Sequence, residues 1–315
     1  MVEATRRDAE RVVAAINQNP QWREETKRHK RIVLRRLIQY AKYGSCERGA
    51  PVPPEVSWIR VSSKKRDRDS RITYEGLLSQ RDFEAMVKAA DNPRDRAMLY
   101  VLYEGALRPG ELLNMRVKSV EFKENYCLIT VSGKTGLKRI PLILSYKPLL
   151  EWIENHPLKT DLDAPLWPSL ASNYLGKPLS YRHFRLTIKR LAKKAGLKKE
   201  VWPYLFRHST ITRLAKILTE AQLEQFAGWM HGSKMSARYV HFSARDLEDT
   251  FLKMHGLKSG EEEPIIPKLE VCPRCKAENP PGRVYCGFCG FVLDRETAIK
   301  TEEEERSEND LIIQR

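Results

Sequence analysis

The chain has 315 residues, with 56 Lys and Arg against 41 Asp and Glu, and a formal net charge of +15. This length allows two domains and an appendage, each able to bury a core, and it excludes a mini-protein. Residues 258–315 hold 9 basic and 13 acidic side chains, so residues 1–257 carry the remaining 47 and 28. A concentrated positive field attracts polyanions, and we expect nucleic acid as the partner, although charged runs also solvate helix faces.

Features of membrane and secreted proteins are not expected. The sequence contains no run of about 18 apolar residues, and its first ten residues lack the apolar stretch of a signal peptide. Cys46 and Cys127 stand alone and the other four cysteines form two CxxC pairs, a usage that suits a reducing compartment. We therefore expect a cytoplasmic, nucleoid-associated protein with no membrane partner.

The first 70 residues are predicted to form a small basic helical domain. Apolar residues recur at helical spacing from about residue 6 to residue 45. Pro51, Pro53 and Pro54 are expected to stop any helix, and residues 62–70 are polar, charged and without periodicity. We interpret residues 62–70 as an interdomain linker.

Residues 73–256 are predicted to form a second domain, mainly helical with a small antiparallel sheet. Ser79 with Asp82 resembles a helix-capping pair, and Asn92-Pro93 opens the next helix. Apolar residues then alternate with period two, and a glycine turn at 133–136 precedes a third strand at 139–142. The first two strands are expected at 120–122 and 126–131, and later helices at 146–154, 181–195, 208–218, 220–226, 236–241 and 246–254.

The end of the chain is predicted to hold a metal-binding module between two acidic segments. Residues 257–270 have the composition of a linker, and residues 294–315 that of a disordered tail. Between them, residues 271–293 contain two CxxC pairs ten residues apart, formed by Cys272, Cys275, Cys286 and Cys289. Four thiolates can surround one Zn²⁺ without an open position, which predicts a zinc ribbon with a structural ion. Redox chemistry at either pair is the alternative.

Four segments supply the residue types that DNA strand transfer without a metal requires. They are residues 105–113 with Arg108, 132–136 with Lys134, 204–209 with Arg207, and 228–241 with Tyr239. A tyrosine can attack phosphorus and keep the phosphodiester energy in a covalent bond. Arginines can stabilise the charge of the transition state, and a lysine at a hairpin tip can protonate the departing oxygen.

In their order and spacing these segments resemble the tyrosine recombinase (phage integrase) family, and within it the archaeal branch. The resemblance implies that residues 1–70 are a core-binding domain and residues 73–256 a catalytic domain, which together clamp double-stranded DNA. It implies a site-specific recombinase or integrase of a mobile element or chromosome, acting through a 3′-phosphotyrosyl intermediate. Monomers in solution would assemble as a homo-tetramer on two DNA sites, and catalysis would need no metal or nucleotide.

The resemblance assigns site residues and leaves some roles open. Tyr239, in a Tyr-x-His context, would be the nucleophile. Tyr204 stands where the family usually has histidine, and a phenol is a weak base at neutral pH. His208 is an alternative proton acceptor, although the family also has histidine there for packing. Trp229 stands where many relatives have histidine, and His231 is the alternative if the loop shifts the alignment. The catalytic set is therefore Arg108, Lys134, Tyr204, Arg207, Trp229 and Tyr239.

Two other functions fit parts of this pattern. A type IB topoisomerase shares the tyrosine, arginine and lysine chemistry but relaxes supercoils without a second site. A regulator that only binds DNA would need the basic charge alone, and the intact catalytic set argues against it. The motifs do not encode the DNA target, because base contacts depend on the geometry of side chains.

Overall fold

The computed structural model describes residues 3–47, 49–60, 76–133, 136–233, 235–236, 239, 255, 266–296 and 298–299. The chain divides into two compact units, Met1–Arg71 and Ile72–Arg315. The predicted linker at 62–70 lies outside the described residues. So do the helix predicted at 246–254, most of the one at 236–241, and the acidic tail from residue 300.

The first unit contains three helices, α1 (Arg6–Gln18), α2 (Glu24–Tyr43) and α3 (Pro54–Ser57). The helix expected from residue 6 to residue 45 is thus divided, because Pro20 lacks an N–H and cannot continue α1. No helix runs through Pro51 or Pro53, in line with the expectation that the prolines stop a helix. Pro54 begins α3, where the first turn needs no N–H. Ala9, Val13, Ile38 and Val56 of the three helices form the core of this unit, together with Ile59, which follows α3.

The second unit is mainly helical, as predicted. Ser79 and Asp82 form the expected capping box, and Asn92 accepts a hydrogen bond at the start of the next helix. Among the described residues, no helix has the length and hydropathy needed to cross a bilayer. The helices are α4 (Gln80–Lys88), α5 (Pro93–Gly105), α6 (Pro109–Leu113), α7 (Tyr146–Glu154), α8 (Tyr181–Lys194), α9 (Pro203–Leu214) and α10 (Glu220–Ala227).

The predicted three-stranded antiparallel sheet is confirmed. It consists of β1 (Val120–Phe122), β2 (Cys127–Gly133) and β3 (Gly136–Leu142), in the order β1-β2-β3. Strand β3 begins three residues before the predicted start, because Gly133 and Gly136 already pair across the hairpin. Alternate residues of β2 are buried, so one face of the sheet packs on the core.

Helices α5 and α9 lie at the centre of the core. Nearly every residue of α5 from Ala97 to Tyr103 is completely buried, so this helix is surrounded by protein rather than amphipathic. Helix α9 begins at Pro203, five residues before the predicted start at 208, because proline is favoured in the first turn. Arg207 therefore lies inside a buried helix and not ahead of one.

The cysteine module packs against the outer side of this core. Its strands β4 (Glu270–Val271) and β5 (Glu278–Asn279) pair antiparallel. The buried Tyr100 hydroxyl of α5 donates a 2.5 Å hydrogen bond to the carbonyl of Pro281. Arg283 forms an ion pair with Glu151 of α7, and Asp294 forms one with Lys88 of α4. The module is thus attached to three helices of the second unit.

A glycine permits this close packing. Gly282 has a φ of 83°, in the left-handed region that side chains other than glycine rarely adopt. A Cβ atom at this position would lie 3.2 Å from the Cα atom of Glu84. The turn between the two cysteine pairs can therefore approach the backbone of α4 only with glycine at residue 282.

Candidate active site

Arg108 is fixed at the start of α6 by Glu111. The chain reverses at Ala106, whose φ of 47° lies in the left-handed region, and Arg108 is the N-cap residue of α6. The Arg108 backbone N–H donates to one oxygen of Glu111 at 2.9 Å, and its guanidinium donates to the other at 2.6 Å. A second guanidinium nitrogen lies 3.5 Å from the carbonyl oxygen of Gly228. These contacts join α6 to the end of α10.

Arg207 is deeply buried, with 4% of its surface exposed. Its two terminal nitrogens donate 2.7 Å hydrogen bonds to the carbonyls of Ala106 and Ala227. Burial, followed by the nearby Arg108 charge, lowers the pKa of Arg207 to about 10. The guanidinium therefore stays charged at neutral pH. Its hydrogen bonds hold it in a fixed orientation, as an electrostatic catalyst requires.

An ion pair that the sequence analysis missed lies beside the two arginines. Lys138 of β3 places its Nζ atom 2.8 Å from Glu111, and both side chains are less than a tenth exposed. Burial lowers the pKa of Lys138 to about 8 against the opposing effect of Glu111. Burial raises the pKa of Glu111, but the bonds to Lys138 and Arg108 outweigh it and leave that pKa lowered. One carboxylate thus serves two cations. The hairpin could have indicated this, because Lys138 lies opposite the buried Val131, and directly opposed residues of an antiparallel pair share one face of the sheet.

The β2–β3 hairpin approaches this carboxylate closely. A Cβ atom at Gly133 would lie 2.5 Å from a Glu111 oxygen, and Glu111 is held too firmly to move aside easily. Lys134 and Thr135 lie outside the described residues. Gly133, which lies against Glu111, immediately precedes Lys134, the predicted general acid.

Tyr239 is buried next to His208 and Trp229. Its side chain is 3% exposed, and its hydroxyl lies 2.8 Å from Nδ1 of His208. The Trp229 ring stacks on it with centroids 5.4 Å apart, and the Arg207 guanidinium lies 5.9 Å from the centroid of Trp229. Tyr204 is 41% exposed, with its ring 6.4 Å from that of His208. The structure therefore brings Arg207, Trp229 and Tyr239 together, with His208 in direct contact with the predicted nucleophile.

His231 lies apart from this stack. Its side chain is 93% exposed, and its Nδ1 atom lies 3.1 Å from the buried carboxylate of Glu224. The same carboxylate accepts backbone hydrogen bonds from Gly232 and Ser233. Glu224 thus organises the loop after Trp229, and the geometry favours Trp229 over His231 as the residue that contacts Tyr239.

Comparison with known proteins identifies the family. Residues 77–245 match the Phage integrase family, which is more than half of the chain. The chain belongs to this family. A tyrosine recombinase of Synechococcus elongatus is 35% identical over 128 residues, covering 40% of this chain and 39% of the relative. Tyrosine recombinase XerA of Pyrococcus horikoshii is 36% identical over 139 residues, covering 44% and 46%.

A solved structure shows the same fold as this phage integrase family member. The Tn1549 transposon integrase, in complex with a circular intermediate DNA, aligns with 80% of this chain and 86% of its own chain. The TM-score is 0.56 and the identity is 17%, so the likeness concerns the fold alone. The chain spans about half or less of the length of the first curated relatives.

The cysteine module of this family member contains a group of side chains that could hold a metal ion. The sulfur atoms of Cys272, Cys275, Cys286 and Cys289 all lie within 4.8 Å of one another. The Asn279 amide lies 3.5 Å from the sulfur of Cys286, as does the backbone N–H of Phe288. Donors of this kind stabilise thiolates, so the cluster suits a thiolate-binding cation.

Replacing Glu111 with glutamine should destabilise the second unit by about 3 kcal/mol, because it leaves two partly buried cations without their shared carboxylate. The midpoint of urea unfolding should fall accordingly. The control is Glu121→Gln in β1, where an exposed carboxylate also pairs with two cations, Lys123 and Arg139. The control midpoint should stay close to that of the wild type. Equal midpoints in the two variants would contradict the structural role of Glu111.

Proposed function

We propose that the chain is a site-specific DNA recombinase or integrase that cleaves and rejoins DNA through a 3′-phosphotyrosyl bond on Tyr239. The observation that carries the proposal is the packing of Tyr239 against Trp229 and His208, beside the immobilised guanidinium of Arg207. A surface tyrosine without a function would not need to be buried against Trp229 and His208. A buried tyrosine that serves only packing would not need two anchored arginines nearby.

The proposed reaction uses each of these groups at a defined atom. The Tyr239 hydroxyl oxygen attacks phosphorus while the bond from phosphorus to the 5′ oxygen breaks. Arg108 and Arg207 donate hydrogen bonds to the non-bridging oxygens, whose negative charge increases in the transition state. Lys134 gives a proton to the departing 5′ oxygen. Rejoining is the same set of steps in reverse, with a 5′ hydroxyl from either DNA strand.

The partner in this proposal is double-stranded DNA. The excess of basic residues in 1–257 supports it, as does the DNA complex of the Tn1549 integrase with the same fold. Residues 1–70 would be the core-binding domain and residues 73–256 the catalytic domain. Two DNA sites would be held by a homo-tetramer assembled from monomers.

A nicked suicide duplex tests the proposal directly. We would select a binding site from a randomised duplex pool and place a nick beside the cleavage position, so that the freed strand end diffuses away. The protein should then accumulate as a covalent DNA adduct, and mass spectrometry should locate the phosphate on Tyr239. Relaxation of supercoiled plasmids that lack the selected site would instead favour a topoisomerase. DNA binding without any adduct would favour a regulator.

We further propose that the four clustered cysteines hold one structural Zn²⁺. Four sulfur ligands within 4.8 Å of one another support this proposal, since four cysteines in two CxxC pairs suit tetrahedral zinc. Such a site leaves no position for water or substrate, so the ion would support the ribbon and take no part in phosphoryl transfer.

Removing the zinc should lower the melting temperature of the second unit, because the ribbon packs against α4, α5 and α7. Loss of that docking should shift the transition by roughly 5 °C or more. Cys272→Ser should reproduce the shift and abolish the one zinc per chain that elemental analysis should find. Cys46→Ser in the first unit is the control, and it should keep the wild-type melting temperature and one zinc per chain. Adduct formation below the lowered transition should continue, and its loss there would contradict a purely structural ion.

A further inference from the structure

We propose that His208 is the catalytic base that takes the phenolic proton of Tyr239, a task that the residue three positions before Arg207 does not perform in this chain. The inference rests on the proposed function, since it requires Tyr239 to be the nucleophile. His208 would thus accept the proton of the nucleophile, whereas the family resemblance implies only a packing role for it.

The hydrogen-bond geometry places His208 on the reacting atom. Nδ1 of His208 lies 2.8 Å from the hydroxyl oxygen of Tyr239, within the range over which a base must reach its proton. The two rings are nearly parallel, at an angle of 26° with centroids 6.0 Å apart. Trp229 stacks on the same tyrosine ring, so the phenol is held while its hydroxyl contacts the imidazole.

His208 shares helix α9 with the arginine that stabilises the transition state. His208 directly follows Arg207, whose guanidinium is fixed by the carbonyls of Ala106 and Ala227. The helix thereby carries the base and a charge-stabilising group on adjacent residues. Tyr204 lies one turn earlier in the same helix, and 41% of its surface is exposed. A phenol at that position is also a weak base near neutral pH, whereas an imidazole suits the task.

The proton balance is complete with the groups already named. As the Tyr239 oxygen forms its bond to phosphorus, its proton moves to Nδ1 of His208, which must be the unprotonated ring nitrogen beforehand. The electron pair of the breaking bond leaves with the 5′ oxygen, which receives the proton of Lys134. His208 then carries the positive charge that Lys134 has lost. In rejoining, His208 returns its proton to the tyrosine oxygen.

Two variants of His208 separate proton transfer from simple positioning. His208→Ala should slow adduct formation on the suicide duplex by about 10²-fold, a typical contribution of a general base. His208→Gln can still hydrogen-bond the hydroxyl but cannot take its proton at neutral pH, so it should be about as slow. The control is His183→Gln in α8, where a histidine Nδ1 also lies 3.0 Å from a hydroxyl, that of Ser180. This control should cleave at the wild-type rate.

A more acidic nucleophile provides a second measurement. Difluorotyrosine introduced at position 239 loses its proton more readily, so it should restore adduct formation by His208→Ala at least about tenfold. The same replacement should change the rate little when His208 is present. Melting curves confirm that each variant is folded at the assay temperature.

Three results would overturn the role of His208. They are a wild-type rate for His208→Ala, a wild-type rate for His208→Gln, and no rescue by difluorotyrosine. Failure of the proposed function itself would look different. An adduct that persists in Tyr239→Phe would show that Tyr239 is not the nucleophile. The inference would then lose its basis, whatever the His208 variants do.

Discussion

Replacing Arg207 with alanine should slow formation of the covalent adduct by about 10³-fold, while the affinity for the same duplex changes little. The negative charge that Arg207 stabilises develops mainly in the transition state, so its loss raises the barrier more than it weakens binding. Single-turnover kinetics on the suicide duplex give the rate, and a filter or gel assay gives the affinity. Equal losses of binding and rate would make Arg207 an ordinary phosphate contact.

The structural duties of Arg207 need their own control. Its guanidinium satisfies the carbonyls of Ala106 and Ala227, and each buried carbonyl left without a donor costs about 1–3 kcal/mol. Arg213 offers a matched case, because it is partly buried in the same region of α9 and donates to the carbonyl of Tyr103. Arg213→Ala should lower the melting temperature and keep the rate of the folded protein. Arg207→Lys should keep the positive charge and remain slow, because lysine lacks the bidentate donor geometry.

The parts of the fold that follow local rules could be predicted from the sequence. The bounds of α7, the Ser79 cap and the three-stranded sheet each depend on residues close together in the chain. Capping and alternation act over a few residues, so the sequence displays them directly. The start of α9 was placed five residues late because its buried sides show little amphipathic pattern, and Pro203 carried the missed signal.

The candidate site divides in the same way. Spacing in the chain indicated Arg108, Arg207, Trp229 and Tyr239, because each lies in a short segment with a recognisable pattern. The ion pair of Lys138 with Glu111 joins residues 27 positions apart in sequence. The hairpin register indicates that Lys138 faces inward, but the tertiary structure is needed to identify Glu111 as its partner. The contact of His208 with Tyr239 likewise joins α9 to a residue 31 positions later. Motifs therefore indicate the candidate reactive residues, whereas the fold shows which side chains contact them.

Replacing Lys134 with alanine should slow cleavage of an ordinary phosphodiester by roughly 10²–10⁴-fold, the usual contribution of a general acid. A duplex with sulfur at the 5′ bridging position should be cleaved by this variant at nearly the rate of the unchanged protein, because a thiolate leaves without a proton. The comparison uses the same duplex sequence with oxygen or sulfur. Cleavage that stays blocked with sulfur would show that Lys134 has a different role.

Lys138 is the alternative acid on the same hairpin, and the sulfur duplex distinguishes the two lysines. Burial lowers the pKa of Lys138 to about 8, which would ease proton donation near neutral pH. Its Nζ atom, however, lies 2.8 Å from Glu111, which also binds Arg108. Lys138→Ala should therefore disturb the orientation of Arg108 and slow both duplexes alike. If sulfur selectively rescued Lys138→Ala, Lys138 would be the general acid instead, and Lys134 would be a contact to the DNA.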